Sequence, residues 1–348
     1  MPGNPTINSH TILPLITTCK IQANVTGNYG EPSIRIKYGT AIGALNNVAN
    51  GDTLFFGKWD PNPTGTLTAN LSGLISSTKY YCQIEIFHTT GLTILLDSFN
   101  TISSNVDTSG LLAYYSFENN FNSYNNIHNL SSATATTAGF ATGKIGQCAT
   151  FNGLQTLTNT SIATVFNDNE FTIAFWAYRT ANGSYATSYE LFGSNFIRNR
   201  NSGNREIGMA YTSTLFAIGG SGTEGVNLNA WHHYAFVFKQ SGANMFFYNY
   251  VNGVLIDSVL VGTGNTSLHR FNNVFAVGGG TDAGGTINGL KYFTGKIDEF
   301  CIFKRALTMQ QVFVLASKTN DLLPTTITQF TAIKKENTAQ LRWTSENE

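Results

Sequence analysis

Phe171-Thr172-Ile173-Ala174-Phe175-Trp176 and, further along, Trp231-His232-His233-Tyr234-Ala235-Phe236-Val237 decide the fold of this chain. In the first stretch Phe171, Ile173 and Phe175 fall on one face and Trp176 on the other, the period of a strand. Tyr250-Val251-Asn252-Gly253-Val254-Leu255 continues the pattern as a hairpin, because Asn-Gly suits the two positive-φ positions of a type I′ turn. Outward from these, Leu111 to Phe117, Phe151-Asn152-Gly153 and Gly295-Lys296-Ile297-Asp298-Glu299-Phe300 repeat the combination of aromatic strand and tight turn. One short helix is predicted over Thr308 to Ala316, capped by Thr308, with Val312 and Leu315 on the face that lies on a sheet.

Composition agrees with an all-β reading. The 348 residues exceed what one core usually serves, so two or three domains are expected. Aromatic residues make up 13% and 34 glycines sit among many Thr, Ser and Asn, the material of strands and turns. Charged residues are 11% and balance to zero, which leaves no electrostatic footprint for nucleic acid or an anionic membrane. No run reaches the roughly 18 apolar residues of a membrane span. A surface made polar by Thr, Asn and Ser points to a secreted or cell-surface location. Leu15-Ile16-Thr17-Thr18-Cys19 faintly resembles a lipoprotein cleavage box, but no basic residue precedes it, so it reads as a strand with a core cysteine and the chain as a piece of a larger secreted protein.

Residues 1–103 alternate short apolar runs with turns: Cys19, Ile21, Ala23 and Val25 share one strand face, and Tyr80, Cys82, Ile84 and Ile86 another. Leu74 to Tyr81, Gly91 and Ser98-Phe99-Asn100-Thr101 resemble the second half of a fibronectin type III domain, with Tyr80 where such sandwiches brace a corner. After a polar linker, residues 108–318 carry six landmarks in order: Tyr115 to Asn120, Gly143-Lys144-Ile145-Gly146 leading to Phe151, Phe171 to Trp176, Trp231 to Val237, Tyr250 to Gly253, and Gly295 to Phe300 with Arg305-Ala306-Leu307-Thr308. This unit resembles the bacterial laminin-G-like, or concanavalin A-like, jelly roll, a relative of the pentraxins. Residues 322–348 hold two alternating strands that resemble the start of a further, truncated β-sandwich module. The expected fold class is therefore all-β: a fibronectin III-like sandwich, a laminin-G-like jelly roll and a partial C-terminal sandwich.

The resemblance implies a non-catalytic extracellular recognition or adhesion module, with a glycan or a cell-surface protein as partner. The alternatives are an accessory domain of a polysaccharide-degrading enzyme, or a glycoside hydrolase itself. Related glucanases use paired acids resembling Glu-Ile-Asp-x-x-Glu, and retaining hydrolysis needs two carboxyls about 5 Å apart. Here Lys296 and Cys301 occupy the outer acid positions, and strict alternation sends Asp298 and Glu299 to opposite faces, so no enzyme is expected.

Calcium is the ion the resemblance implies, as a structural site, with Asp298 as ligand and Glu118 as partner, although Asn122 and Gln155 stand where acids are common in the family. The alternative for Asp298 is a hydrogen-bonded residue that steadies a neighbouring loop. The resemblances also suggest two disulfides, Cys19 with Cys82 and Cys148 with Cys301, against the alternative of four small buried hydrophobes. His232 and His233 are neighbours on a strand and cannot share one ion without a bulge, so one half-buried and one exposed histidine are expected. A sugar platform would be sought among Tyr185, Tyr189, Phe196, Tyr211 and Tyr292, which lie in loops or strand ends rich in Asn, Gly and Ser.

Overall fold

The structure is a computed structural model that describes residues 5–27, 30–57, 63–89, 91–162, 170–181, 186–191, 195–199, 205–211, 214–220, 228–263, 275–281, 287–288, 293–320, 322, 326–335 and 338–346. The chain divides into two compact units, Met1–Asn105 and Val106–Glu348, and the division falls inside the polar linker.

The first unit has seven strands: β1 (Thr6–Pro14), β2 (Cys19–Thr26), β3 (Ser33–Gly39), β4 (Asn47–Thr53), β5 (Thr64–Leu71), β6 (Lys79–His88) and β7 (Gly91–Asn100). They form antiparallel sheets in the orders β1-β2-β5 and β4-β3-β6-β7. The period-two residues of β2 and β6 meet in one core with Ile34, Ile36, Leu67 and Ala69. Tyr80 braces this core: its ring stacks on Phe99 at 5.6 Å and its hydroxyl accepts the Ile75 N–H at 3.0 Å.

In the second unit the larger sheet is built from β8 (Leu111–Tyr115), β9 (Gly139–Thr142), β10 (Gln147–Asn152), β11 (Phe171–Arg179), β12 (Trp231–Ser241), β13 (Asn244–Val251), β14 (Val254–Thr263) and β15 (Thr294–Phe303). Its order is β9-β10-β15-β11-β12-β13-β14, and β8 pairs with β15 beyond the end of β10. The facing sheet runs Thr214–Gly220, Arg205–Tyr211, Asn195–Asn199, Ala186–Leu191, Phe275–Val277, Leu157–Asn159 and Ser131–Ser132. Phe175, Phe236, Phe247, Phe275 and Phe300 fill the core of this unit, each burial contributing about 1.5–3 kcal/mol. On the other face of the larger sheet lies α1 (Met309–Ala316). Thr308 and Gln311 close a capping box at its start, and Val312 and Leu315 pack on Ala174, Ala235 and Val237. The β13–β14 hairpin turns through Asn252 (φ 51°) and Gly253 (φ 80°), as a type I′ turn requires. The last two strands, β16 (Thr326–Lys335) and β17 (Thr338–Glu346), pair with each other in a two-stranded sheet.

Candidate functional site

The outer face of the larger sheet can be read as rows that cross the strands. Ala235, Ala174 and Cys301 form a row beneath α1. Two residues along β11 and β12 and three along β15, His233, Trp176 and Asp298 form the next, and Trp231, Tyr178, Lys296 and Thr150 the one beyond. β15 carries a bulge between these rows: Trp176 pairs with Asp298 and Ala174 with Cys301, so two residues of β15 oppose one of β11. Glu299 takes up the turn with φ 50°. Ile297 and Phe300 both enter the core. Asp298 and Glu299 therefore lie on the same side of the sheet, which corrects the expectation from strict alternation. The bulge sits where the neighbour of β15 changes from β10, which pairs with residues 294–297, to β8, which pairs with 300–303.

Freed from the regular ladder, the two acids hold flanking segments instead. Asp298 is fully buried. Its Oδ2 accepts the N–H groups of Lys144 (2.8 Å) and Ile145 (3.0 Å), and its Oδ1 accepts the N–H of Glu299 (2.9 Å). Glu118 accepts the Gln147 N–H at 2.8 Å from the other side of the same turn. The turn's glycines make this approach possible: a Cβ on Gly143 would stand 2.5 Å from Asp298 Oδ2, and one on Gly146 (φ 49°) would run into the Glu118 carboxylate. Burial pushes the Asp298 pKa up to about 7, opposed by the three N–H bonds and assisted by the Glu118 charge. Asp298 and Glu118, expected as calcium ligand and partner, both accept N–H groups of the 143–147 turn. Among the described residues no three His, Cys, Asp or Glu side chains gather as a metal site.

Glu299 is held by the Tyr114 hydroxyl, 2.9 Å from each carboxylate oxygen, and that hydroxyl in turn accepts the Leu322 N–H at 3.0 Å. Beside it lies a cavity of about 10 Å³, lined by Trp176, His233, Cys301, Leu315 and Lys318, with the volume of about one water molecule. No sugar fits there. His233 is buried edge-on to Trp176, its Nδ1 has no hydrogen-bond partner, and burial lowers its pKa to about 3, so it is neutral. His232 is half-buried and meets the Asn252 side chain at 3.2 Å. The pair therefore faces opposite ways as expected, each more buried than alternation alone suggests.

All four cysteines are free thiols, which corrects both expected disulfides. Cys19 and Cys82 share the core of the first unit, where burial pushes both thiols up to about 12 and keeps them protonated and unreactive. For Cys148 and Cys301 the register is decisive. Pairing of Ala149 with Ile297 sets Cys148 level with Asp298, whereas Cys301 stands three residues further on between Ala174 and Tyr114. A disulfide needs Cα atoms about 4.4–6.8 Å apart and cannot span that offset. Of the aromatics proposed as a sugar platform, Tyr185 and Tyr292 and the side chains of Tyr189, Phe196 and Tyr211 lie outside the described residues. The row that composition did not single out is Trp231–Tyr178–Lys296, whose signal was cross-strand register rather than any local motif.

Residues 151–313 match the family model of the concanavalin A-like lectin/glucanases superfamily. This part of the chain is a laminin-G-like, concanavalin A-like domain. Strands β8 and β9 extend its larger sheet upstream of the matched residues. None of the curated proteins matches the sequence. Among solved structures, this chain is similar to domain 4 of AbnA, a GH43 extracellular arabinanase from Geobacillus stearothermophilus, in complex with arabinotriose (23% identity, 60% of this chain and 98% of that one, TM-score 0.48). It is also similar to the heptameric SAP-like pentraxin of Limulus polyphemus (15%, 57% and 91%, TM-score 0.37). A third is the Ruminococcus gnavus IT-sialidase CBM40 bound to α2,3 sialyllactose (14%, 45% and 86%, TM-score 0.35).

Proposed function

We propose that this chain is a non-catalytic extracellular recognition module that binds a glycan through its concanavalin A-like domain. The observation that carries the reading is the match of residues 151–313 to a lectin and glucanase superfamily, combined with what the last-strand carboxylates do. Retaining or inverting hydrolysis needs two carboxyls open to a sugar and a water. Asp298 is instead buried against the 143–147 turn, and Glu299 is 9% exposed and bonded to Tyr114, so the acids of this strand serve the fold. Low charge and a Thr-, Asn- and Ser-rich composition support an extracellular location. The test is a glycan array probed with the full chain, in calcium and in chelator, together with a reducing-sugar assay on the glycans it binds. Saturable binding without release of reducing ends is expected. Release of reducing ends would overturn the non-catalytic reading, and absence of binding to every glycan would overturn the recognition reading.

A further inference from the structure

The outermost row of the larger sheet has the chemistry of a binding surface. Tyr178 pairs with Trp231 on one side and Lys296 on the other, and Lys296 pairs with Thr150, so four adjacent strands each place one residue in line. Three inter-strand spacings make that line roughly 14 Å long, the reach of a short oligosaccharide. All four residues are half-buried, unlike the row beneath α1. The rings of Tyr178 and Trp231 lie 5.6 Å apart at 59°, and Lys296 Nζ stands 5.6 Å from the Tyr178 ring while bonding to the Thr142 carbonyl at 3.1 Å. Lys144 is exposed on the neighbouring turn, with its Nζ 4.5 Å from the Trp176 ring.

Charge distinguishes this platform from a neutral one. The acids of the same end lie under the surface: Asp298 and Glu299 are buried, and Glu118 is half-buried against Gln147 N–H. Among the described residues, the ammonium groups of Lys296 and Lys144 are the charges this surface presents. A sugar ring lays its apolar C–H face on an aromatic ring, and a carboxylate on that sugar pairs with an ammonium at the ring's edge. Resting on the glycan-binding reading above, we infer that the Trp231–Tyr178–Lys296 row binds an acidic glycan, with a uronate ring on Tyr178 and Trp231 and its carboxylate at Lys296.

The test is calorimetric titration of the full chain with oligogalacturonate and with its methyl-esterified, uncharged form. The acid form is expected to bind at least about fivefold tighter at low salt, with the difference shrinking at about 0.5 M salt. Trp231→Ala and Tyr178→Ala weaken both forms about tenfold or more, whereas Trp231→Phe, which keeps a ring, retains most binding. Lys296→Gln equalises the two forms, and Lys296→Glu, a surface change that spares the fold, reverses the preference. Equal affinity of the parent chain for both forms, or binding of other glycans but not of oligogalacturonate, overturns the acidic class. Glycan binding that survives Tyr178→Ala with unchanged circular dichroism overturns the site and leaves the recognition reading intact. Failure of every glycan on the array overturns both.

Discussion

Glu85 in the first unit and Asp298 in the second are carboxylates buried on the outer side of a sheet, and the two solve the problem in opposite ways. Glu85 of β6 is 1% exposed and faces cations: Arg35 Nε and Lys37 Nζ on β3, at 2.5 and 2.9 Å, with the Gln83 amide at 2.7 Å. Burial raises its pKa, but these partners outweigh burial and hold the carboxyl below its ordinary range. Asp298 is 0% exposed and meets only backbone N–H groups, so burial wins and the pKa rises to about 7. At Glu85 the charges of two partly exposed side chains outweigh burial, whereas at Asp298 the backbone N–H groups lower the pKa but do not offset complete burial.

The comparison breaks first at Asp298. Asp298→Ala leaves the Lys144 and Ile145 N–H groups buried without an acceptor, and we expect a loss of about 3–5 kcal/mol in urea denaturation. Gly146→Ala is next, at about 2 kcal/mol by the same measurement, because a left-handed residue there meets the Glu118 carboxylate. Glu85→Ala is expected to cost only about 1–2 kcal/mol, since Arg35 and Lys37 are about a third exposed and can rehydrate. Equal losses at Glu85 and Asp298 would show that charge and dipole anchors are equivalent.

The pH dependence sharpens the contrast through its sign. Folded Asp298 keeps its proton where the unfolded chain, with the ordinary value of 3.8, has released it. Its contribution to stability is full below that value and is lost as pH rises to about 7. Glu85 is depressed, so its contribution is present above the ordinary 4.5 and lost as pH falls through the lowered pKa. Asp298→Asn should therefore flatten the decline in stability between pH 3.8 and about 7, and Glu85→Gln the decline below pH 4.5; melting temperatures measured across both ranges decide it. The smallest effect is that of calcium. With N–H donors at both anchors, calcium in place of chelator should raise the melting temperature by less than about 2 °C, and a larger shift would show the 143–147 turn presenting oxygens instead.

Much of this arrangement was legible in the chain. Phe171, Ile173 and Phe175 enter the core as their spacing predicts, and Asn252-Gly253 forms the predicted turn. Strand β4, by contrast, reads Asn47-Val48-Ala49-Asn50-Gly51-Asp52-Thr53, a polar edge with no period to detect, and takes its form from pairing with β3. The bulge has a signal in the sequence. Ile297, Phe300 and Ile302 are apolar at intervals of three and then two, and only an extra residue keeps all three in one core. Whether Cys148 meets Cys301, and whether Tyr178 stands between Trp231 and Lys296, depends on register between strands far apart in sequence, which no local pattern encodes.

The placement of β15 also bears on how the domain is made. This strand lies between β10 and β11 and pairs at its far end with β8, so the middle of the sheet is occupied by nearly the last strand of the domain to be synthesised. At ribosomal rates of about 5–20 residues per second, Leu111 waits roughly 10–40 s for Phe303. Until then the aromatic edges of β10 and β11 have no neighbour, and neither the 143–147 turn nor Tyr114 has its carboxylate. Closure of the sandwich is therefore set by long-range pairing and waits until β15 has been made.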